Sequence, residues 1–305
     1  MKPVRSNPSS CQLGLLTSPG RNFTKTIHKD TYPAIDSATK SDHTGHYVFI
    51  TGASKGVGRT TAISFARAGA AGIALGARSD FESLETEIQS VAKAAGKKVP
   101  KLVKIKLDVT SHMDVQAAAK ETEKEFGKVD ILINNAGYLS NFEPIGESDE
   151  DDYWQNYEIN LRGVYWMTKA FLPLLLKSSE KTIVNLSSIG ANGLRPGASG
   201  YQVTKFALLR FTEFTMVDHG DQGILAYCVH PGGVLTDMGQ KMPKETHVLL
   251  GDKAEVAADT MCFLTTERRE WLAGRYISCT WDMPELLSRK DEIVNGNKLV
   301  QRMII

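Results

Sequence analysis

Six short apolar runs, at residues 47–50, 72–76, 101–107, 131–133, 182–186 and 224–229, recur between stretches of helical periodicity. They constrain the fold more than any other feature of the chain. A strand that is apolar along its whole length has no face to offer water, so both faces of its sheet must be covered. The intervening stretches at 59–68, 81–95, 112–126, 151–177 and 200–219 read as helices. Apolar strands alternating with helices give a parallel sheet coated on both sides. The expected class is α/β. No internal repeat at a period of ~20–50 residues is visible.

The 305 residues suffice for one such unit with a tail. Hydrophobic residues make up 42%, enough for a large core, and a net charge of +1 provides no basic surface for nucleic acid. Cys11, Cys228, Cys262 and Cys279 are widely spaced without a Cys-x-x-Cys pair. That argues against a disulfide framework or a zinc site and fits a reducing compartment. The most apolar stretch, residues 170–176, is too short to span a bilayer and contains Pro173.

Residues 1–45 are rich in Ser, Thr, Pro and basic side chains, with no acid before Asp30. They are expected to form a flexible leader on a cytoplasmic protein, with residues 32–35 packing on the domain surface. A mitochondrial signal in residues 1–29 is the alternative, but Pro3, Pro8, Pro19 and Gly20 would break its amphipathic helix. The main domain is placed at 46–280 and a charged tail at 281–305, helical over 284–294.

The first apolar run leads into Thr51-Gly52-Ala53-Ser54-Lys55-Gly56-Val57-Gly58. Glycines here permit positive φ and let backbone N–H groups approach a pyrophosphate at a helix start. The spacing Gly-x-x-x-Gly-x-Gly differs from both the standard dinucleotide fingerprint and the ATP-binding P-loop. Twenty residues after Gly58, at the end of the second run, stands Arg78 rather than an acid that would accept the ribose 2′-hydroxyl of NAD. The guanidinium fork suits a 2′-phosphate, and Lys55 can add a second charge. NADP(H) is therefore the expected cofactor.

Tyr201 and Lys205 lie four residues apart on one helical face, thirteen residues after Ser188. A phenol titrates near ~10, and a fixed ammonium beside it favours the phenolate and lowers that value toward the working range. A serine hydroxyl arriving from another segment can hydrogen-bond a substrate oxygen at the same point.

Together with Asp108-Val109, Asn134-Asn135-Ala136-Gly137, Asn160 and Pro231-Gly232, these motifs make residues 45–280 resemble the short-chain dehydrogenase/reductase family, single-domain branch. The C-terminal tail is similar to fungal members, including ones working in secondary metabolism. The resemblance implies a Rossmann-type doubly wound sheet in one domain. It implies that Asp108 contacts adenine with Val109 beside it, that Asn135 lies near the adenosine ribose, and that Ala136-Gly137 shape the fourth strand's end. Asn160 would hold a water in a proton relay, and Lys205 would bond the nicotinamide ribose and lower the tyrosine pKa. Tyr201 would be the general acid in reduction, and Ser188 would orient the carbonyl. Pro231, Gly232, Val234 and Thr236 would border the carboxamide and pyrophosphate. A homodimer or homotetramer follows from family habit, although the tail puts the usual tetramer interface in doubt.

The segment 233–250 is the expected substrate loop, and its Met238, Met242, Val248, Leu249 and Leu250 suit an apolar ligand. The expected activity is NADP(H)-dependent interconversion of a ketone and a secondary alcohol on a hydrophobic small molecule. The alternatives are an NADP-dependent epimerase or dehydratase, which shows no net NADPH consumption, and a non-catalytic cofactor-binding regulator. Residues 274–282 stand where the family carries a strand ending in Asp-Gly-Gly. The acids at 149–152 are expected to complement a helix dipole. His219 and His230 lack partners at metal-ligand spacing. Trp154, Tyr165 and Trp166 read as core or interface aromatics.

Overall fold

In a computed structural model describing residues 20–81 and 83–303, the six runs become six strands of one sheet, and a seventh strand joins them from residues 276–278. They are β1 Tyr47–Thr51, β2 Gly72–Ala77, β3 Lys101–Lys106, β4 Ile131–Asn134, β5 Thr182–Leu186, β6 Leu225–His230 and β7 Tyr276–Ser278. Every neighbouring pair is parallel, in the order β3-β2-β1-β4-β5-β6-β7. The helices are α1 Ser37–Lys40, α2 Gly56–Arg67, α3 Leu84–Ala94, α4 His112–Phe126, α5 Glu150–Tyr157 and α6 Gly163–Leu176. Then come α7 Ser199–His219, α8 Asp237–Gln240, α9 Ala254–Thr265, α10 Met283–Ser288 and α11 Lys290–Asn295.

Both faces of the sheet are covered, as apolar strands require, except at edge strand β3, where Lys101, Lys104 and Lys106 are exposed. Val48 and Ile50 of β1 pack with Phe65 of α2, Ile88 of α3, Leu208 of α7 and Met261 of α9. Phe49, from the same strand, points to the opposite face and packs with Val115 of α4 and Phe171 of α6. Strand order reverses between β1 and β4, which opens a crevice at the strands' C-terminal ends.

Several elements differ from the sequence reading. α2 starts at Gly56, inside the glycine turn, because Gly56 at φ +54° turns the chain directly into the helix. The stretch expected as one helix over 151–177 is split by a π segment, Glu158–Arg162, with Asn160 at its centre. Such segments are rare and favour functional sites. α9 has no counterpart in the sequence reading. Residues 274–282 do hold a strand, β7, paired with β6 from Cys228↔Tyr276 to His230↔Ser278. The tail forms two short helices, and its Leu299 carbonyl accepts the Tyr276 N–H at 2.8 Å. Asp149 caps α5 by accepting the Asp152 N–H at 2.8 Å, with three acids in the first turn.

Residues 20–45 pack on the domain. Trp281, a fully buried indole, needs acceptors for its N–H and finds them in the carbonyls of Gly20 (3.0 Å) and Arg21 (3.1 Å). The His28 N–H donates to the Thr280 carbonyl at 2.7 Å, and Ile35 is fully buried. The carboxylate of buried Asp259 on α9 accepts from Thr31 and from Ser64 of α2, each at 2.6 Å. A flexible leader through residue 45 does not describe this segment. Residues 1–19, which carry the first part of the proposed leader and most of the alternative targeting signal, lie outside the described residues. Among the described residues no helix is long and apolar enough to cross a membrane.

Candidate active site

A cavity of about 1040 Å³ opens at the C-terminal ends of the strands. Its lining includes Gly52, Ser54, Lys55, Gly56 and Val57 from the first loop, Arg78 after β2, and Asp108 and Val109 after β3. Asn135, Ala136 and Gly137 follow from β4, Ser188 from β5, Tyr201 and Lys205 from α7, and Pro231, Gly232, Val234 and Thr236 from beyond β6. Segments up to about 180 residues apart in sequence thus meet in one space, as the switch point of a doubly wound sheet arranges.

Three of the residues singled out from sequence, Thr51, Gly58 and Asn160, stand behind the cavity wall. The Thr51 hydroxyl accepts the N–H groups of Asn135 and Ala136, each at 2.9 Å, and locks the end of β4 to the end of β1. A Cβ on Gly58 would lie 2.4 Å from both the Gly52 carbonyl oxygen and the Asn135 amide nitrogen, so only glycine lets α2 start against the loop. Asn160 is fully buried; its Oδ1 accepts the Tyr138 N–H at 2.7 Å. Its Nδ2 donates to the Tyr138 carbonyl (2.9 Å) and to Thr204 (3.1 Å), beside Lys205. It ties the loop after β4 to α7.

Four other side chains are more committed than their sequence motifs suggest. Asn135 Nδ2 donates to the carbonyls of Thr51 (2.8 Å) and Gly52 (3.2 Å), so it braces the glycine turn. Lys55 forms an ion pair with Asp237 of α8 at 2.7 Å, across the cavity mouth. Asp108 Oδ1 accepts from the N–H and hydroxyl of Thr110. Ser54 and Ser79, the latter unnoticed in the sequence, share a hydrogen bond at 2.8 Å.

At the reaction end, the Ser187 hydroxyl donates to the Lys205 carbonyl at 2.7 Å and fastens α7 to β5. Ser188 instead lines the cavity, within hydrogen-bond reach of the Tyr201 phenol. Burial pushes the Tyr201 pKa above its usual value, partly offset by the Ser188 hydrogen bond. Lys205 Nζ lies 5.6 Å from the Tyr201 ring centre and donates to the Leu186 carbonyl at 2.8 Å. Burial pulls its pKa down to about 8. The phenol is held protonated because desolvation outweighs the Ser188 hydrogen bond. The sequence reading had the opposite direction.

Met238, Met242, Leu249 and Leu250 line the cavity with Leu139, Phe142, Ile189 and Leu194. Val248 does not join them and is largely exposed. Arg21, Ile27 and Lys29 from the N-terminal segment and His230 at the end of β6 also contribute. No sequence motif points to these four.

A glycine-cradled cavity of this size at the switch point, with Ser, Tyr and Lys converging at one end, defines a dinucleotide-binding oxidoreductase. The pattern of the family described as short chain dehydrogenase matches residues 46–247, and the chain belongs to that family. The chain is 48% identical over 288 residues to the short chain dehydrogenase mpl6 of Monascus purpureus, covering 94% of this chain and 98% of that protein. It is 45% identical over 308 residues to the short chain dehydrogenase pigC of Monascus ruber, spanning 100% of both. A short chain dehydrogenase structure from Pseudomonas syringae, described as putative in its own name, shares the fold with a TM-score of 0.70, 24% identity, and coverage of 83% of this chain and 99% of that one. A 3-ketoacyl-(acyl-carrier-protein) reductase from Brucella melitensis, solved with NADH, aligns with a TM-score of 0.66 and 25% identity over 78% of this chain and 97% of that one. The family binds a nicotinamide cofactor, and the cradle at Gly52, Gly56 and Gly58 fits one: Gly52 and Gly56 have φ of +65° and +54°, leaving no room for side chains.

Proposed function

We propose that the protein is an NADP(H)-dependent reductase that interconverts a ketone and a secondary alcohol on a hydrophobic small molecule. The observation that carries this reading is the convergence of Ser188, Tyr201 and Lys205 in the cavity, with Met238 beside the Lys205 ammonium at Gly137. Bound NADPH supplies the hydride. Tyr201 carries the proton that the substrate oxygen takes up, and its raised pKa keeps that proton in place until a carbonyl arrives. Ser188 hydrogen-bonds the same oxygen and shares its developing negative charge. Lys205 has three donors and spends one on Leu186, leaving two for the cofactor ribose and a water chain toward Asn160. The fungal relatives support a place in secondary metabolism. Net oxidation of NADPH by a panel of aryl and terpenoid ketones tests the reading. Ketones that are never reduced, or turnover without net oxidation, would overturn it.

Arg78 supports the choice of NADP(H). It stands exposed on the cavity lip and, among the described residues, has no ion-pair partner. The nearest acid, Asp80, accepts the Phe81 N–H at 2.6 Å and is not part of the lining. Lys55 is already neutralised by Asp237, so Arg78 is the main contact for a 2′-phosphate. An Arg78→Ala variant should bind NADPH at least about tenfold more weakly and NADH within about twofold of wild type. Titrating both cofactors by fluorescence checks this; a wild-type preference for NADH would sink it.

A second copy of the chain fits the outer face of α7. Val203, Phe206, Phe214 and Val217 form an exposed stripe at helical spacing, with Trp154 of α5 and Tyr165 of α6 also exposed. Phe214→Glu should convert a dimer or tetramer to a smaller species in light scattering. An unchanged mass would show that another face pairs the subunits.

A further inference from the structure

The N-terminal segment supplies part of the cavity wall that the catalytic motifs leave unexplained. Arg21, Ile27 and Lys29 enter the lining from it. The segment is held there by backbone contacts, the indole of Trp281 donating to the Gly20 and Arg21 carbonyls at 3.0 and 3.1 Å. A Cβ on Gly20 would lie 3.8 Å from the Asn192 amide, so Arg21 arrives next to the loop that begins at Ser188. Among the described residues neither Arg21 nor Lys29 has an ion-pair partner.

His230 is the independent sign that a ligand belongs here. It closes β6, lines the cavity, is 7% exposed, and its Nδ1 has no hydrogen-bond partner among the described residues. Burial, helped by the charge of Arg21, pushes its pKa down to about 3, so the ring is a neutral donor and acceptor. A buried polar atom without a partner costs about 1–3 kcal/mol, a cost that a ligand atom would remove. Asp252, an acid of the lining, already accepts the Gly233 N–H at 2.7 Å. Two cations without ion-pair partners among the described residues and an unsatisfied imidazole, in a cavity also lined by Met238, Met242, Leu249 and Leu250, call for an anionic group on an apolar body.

We propose that Arg21, with Lys29 at the rim and His230 behind, forms a subsite for a carboxylate carried by the substrate, so that the protein acts on a hydrophobic keto acid rather than a neutral ketone. This rests on the reductase reading for the reacting carbonyl, but the subsite can be tested by binding alone. The probes are 2-acetylbenzoate and its methyl ester, titrated calorimetrically into the NADPH-loaded full-length protein. The acid should bind at least about tenfold more tightly than the ester. Arg21→Gln should remove most of that difference, weakening the acid about tenfold and the ester less than twofold, and Arg21→Lys should restore part of it. The variant keeps the segment in place because its anchors are backbone carbonyls. Equal affinity for acid and ester, no binding of the acid, or equal weakening of both by Arg21→Gln would overturn the proposal. If the acid–ester difference persists while neither probe oxidises NADPH, the subsite stands and the reductase reading is what fails.

Discussion

A Tyr201→Phe protein should reduce a ketone at least roughly a thousandfold more slowly than wild type while binding NADPH with unchanged affinity. The substitution removes one oxygen and keeps the ring beside Lys205, 5.6 Å from its ammonium. That oxygen faces the cavity near Ser188 and, among the described residues, ties no two elements together, so its loss leaves the cavity wall standing. It takes away the proton source and one of two hydrogen bonds to the carbonyl oxygen, both of which count most as charge develops there. The loss should therefore appear in kcat more than in KM. Single-turnover oxidation of bound NADPH separates the chemical step from cofactor binding. Near-normal single-turnover rates would remove Tyr201 from the chemistry and leave its helix position as structural.

The parts of the site legible in the sequence are those whose chemistry is written in local spacing. Gly52, Gly56 and Gly58 are needed by the backbone itself, and the Tyr201–Lys205 pair is set by helical geometry. The sheet was readable for the same reason, since each apolar strand states that both its faces are covered. What could not be read depends on partners far away in the chain. The Arg21 wall exists because Trp281 binds carbonyls 260 and 261 residues upstream. Lys55 is paired with Asp237, 182 residues on, which spacing along the chain does not reveal. α9 carries so many small and buried residues, Ala257 and Ala258 among them, that its helical periodicity is weak. The direction of the Tyr201 pKa shift was missed because sequence spacing does not reveal how deeply the folded chain desolvates the phenol.

Lys205→Met should yield a protein that is nearly inactive yet melts at a higher temperature than wild type at pH 7. Lys205 is 4% exposed, and among the described residues no carboxylate pairs with it and one carbonyl, that of Leu186, accepts from it at 2.8 Å. Burial lowers its pKa from 10.5 to about 8, which means the folded chain holds that proton less tightly than the unfolded chain does. At pH 7, below both values, the ammonium is charged in both states and the fold carries the full desolvation cost. Methionine has similar length and no charge, and it should relieve that cost, raising Tm by roughly 3–6 °C. Between pH 8 and 10.5 the folded wild type sheds the proton while the unfolded chain retains it, so wild-type stability gains on the variant as pH rises. The Tm advantage should accordingly narrow between pH 7 and pH 9.5. Turnover should fall at least about a hundredfold, and NADPH affinity should fall with it, since the donors offered to the cofactor ribose are gone. A lower Tm for the variant at pH 7 would mean that the ammonium stabilises the fold, and its retention would then need no catalytic reason. A higher Tm with lost turnover would show that the protein keeps a costly buried charge for the chemistry it performs.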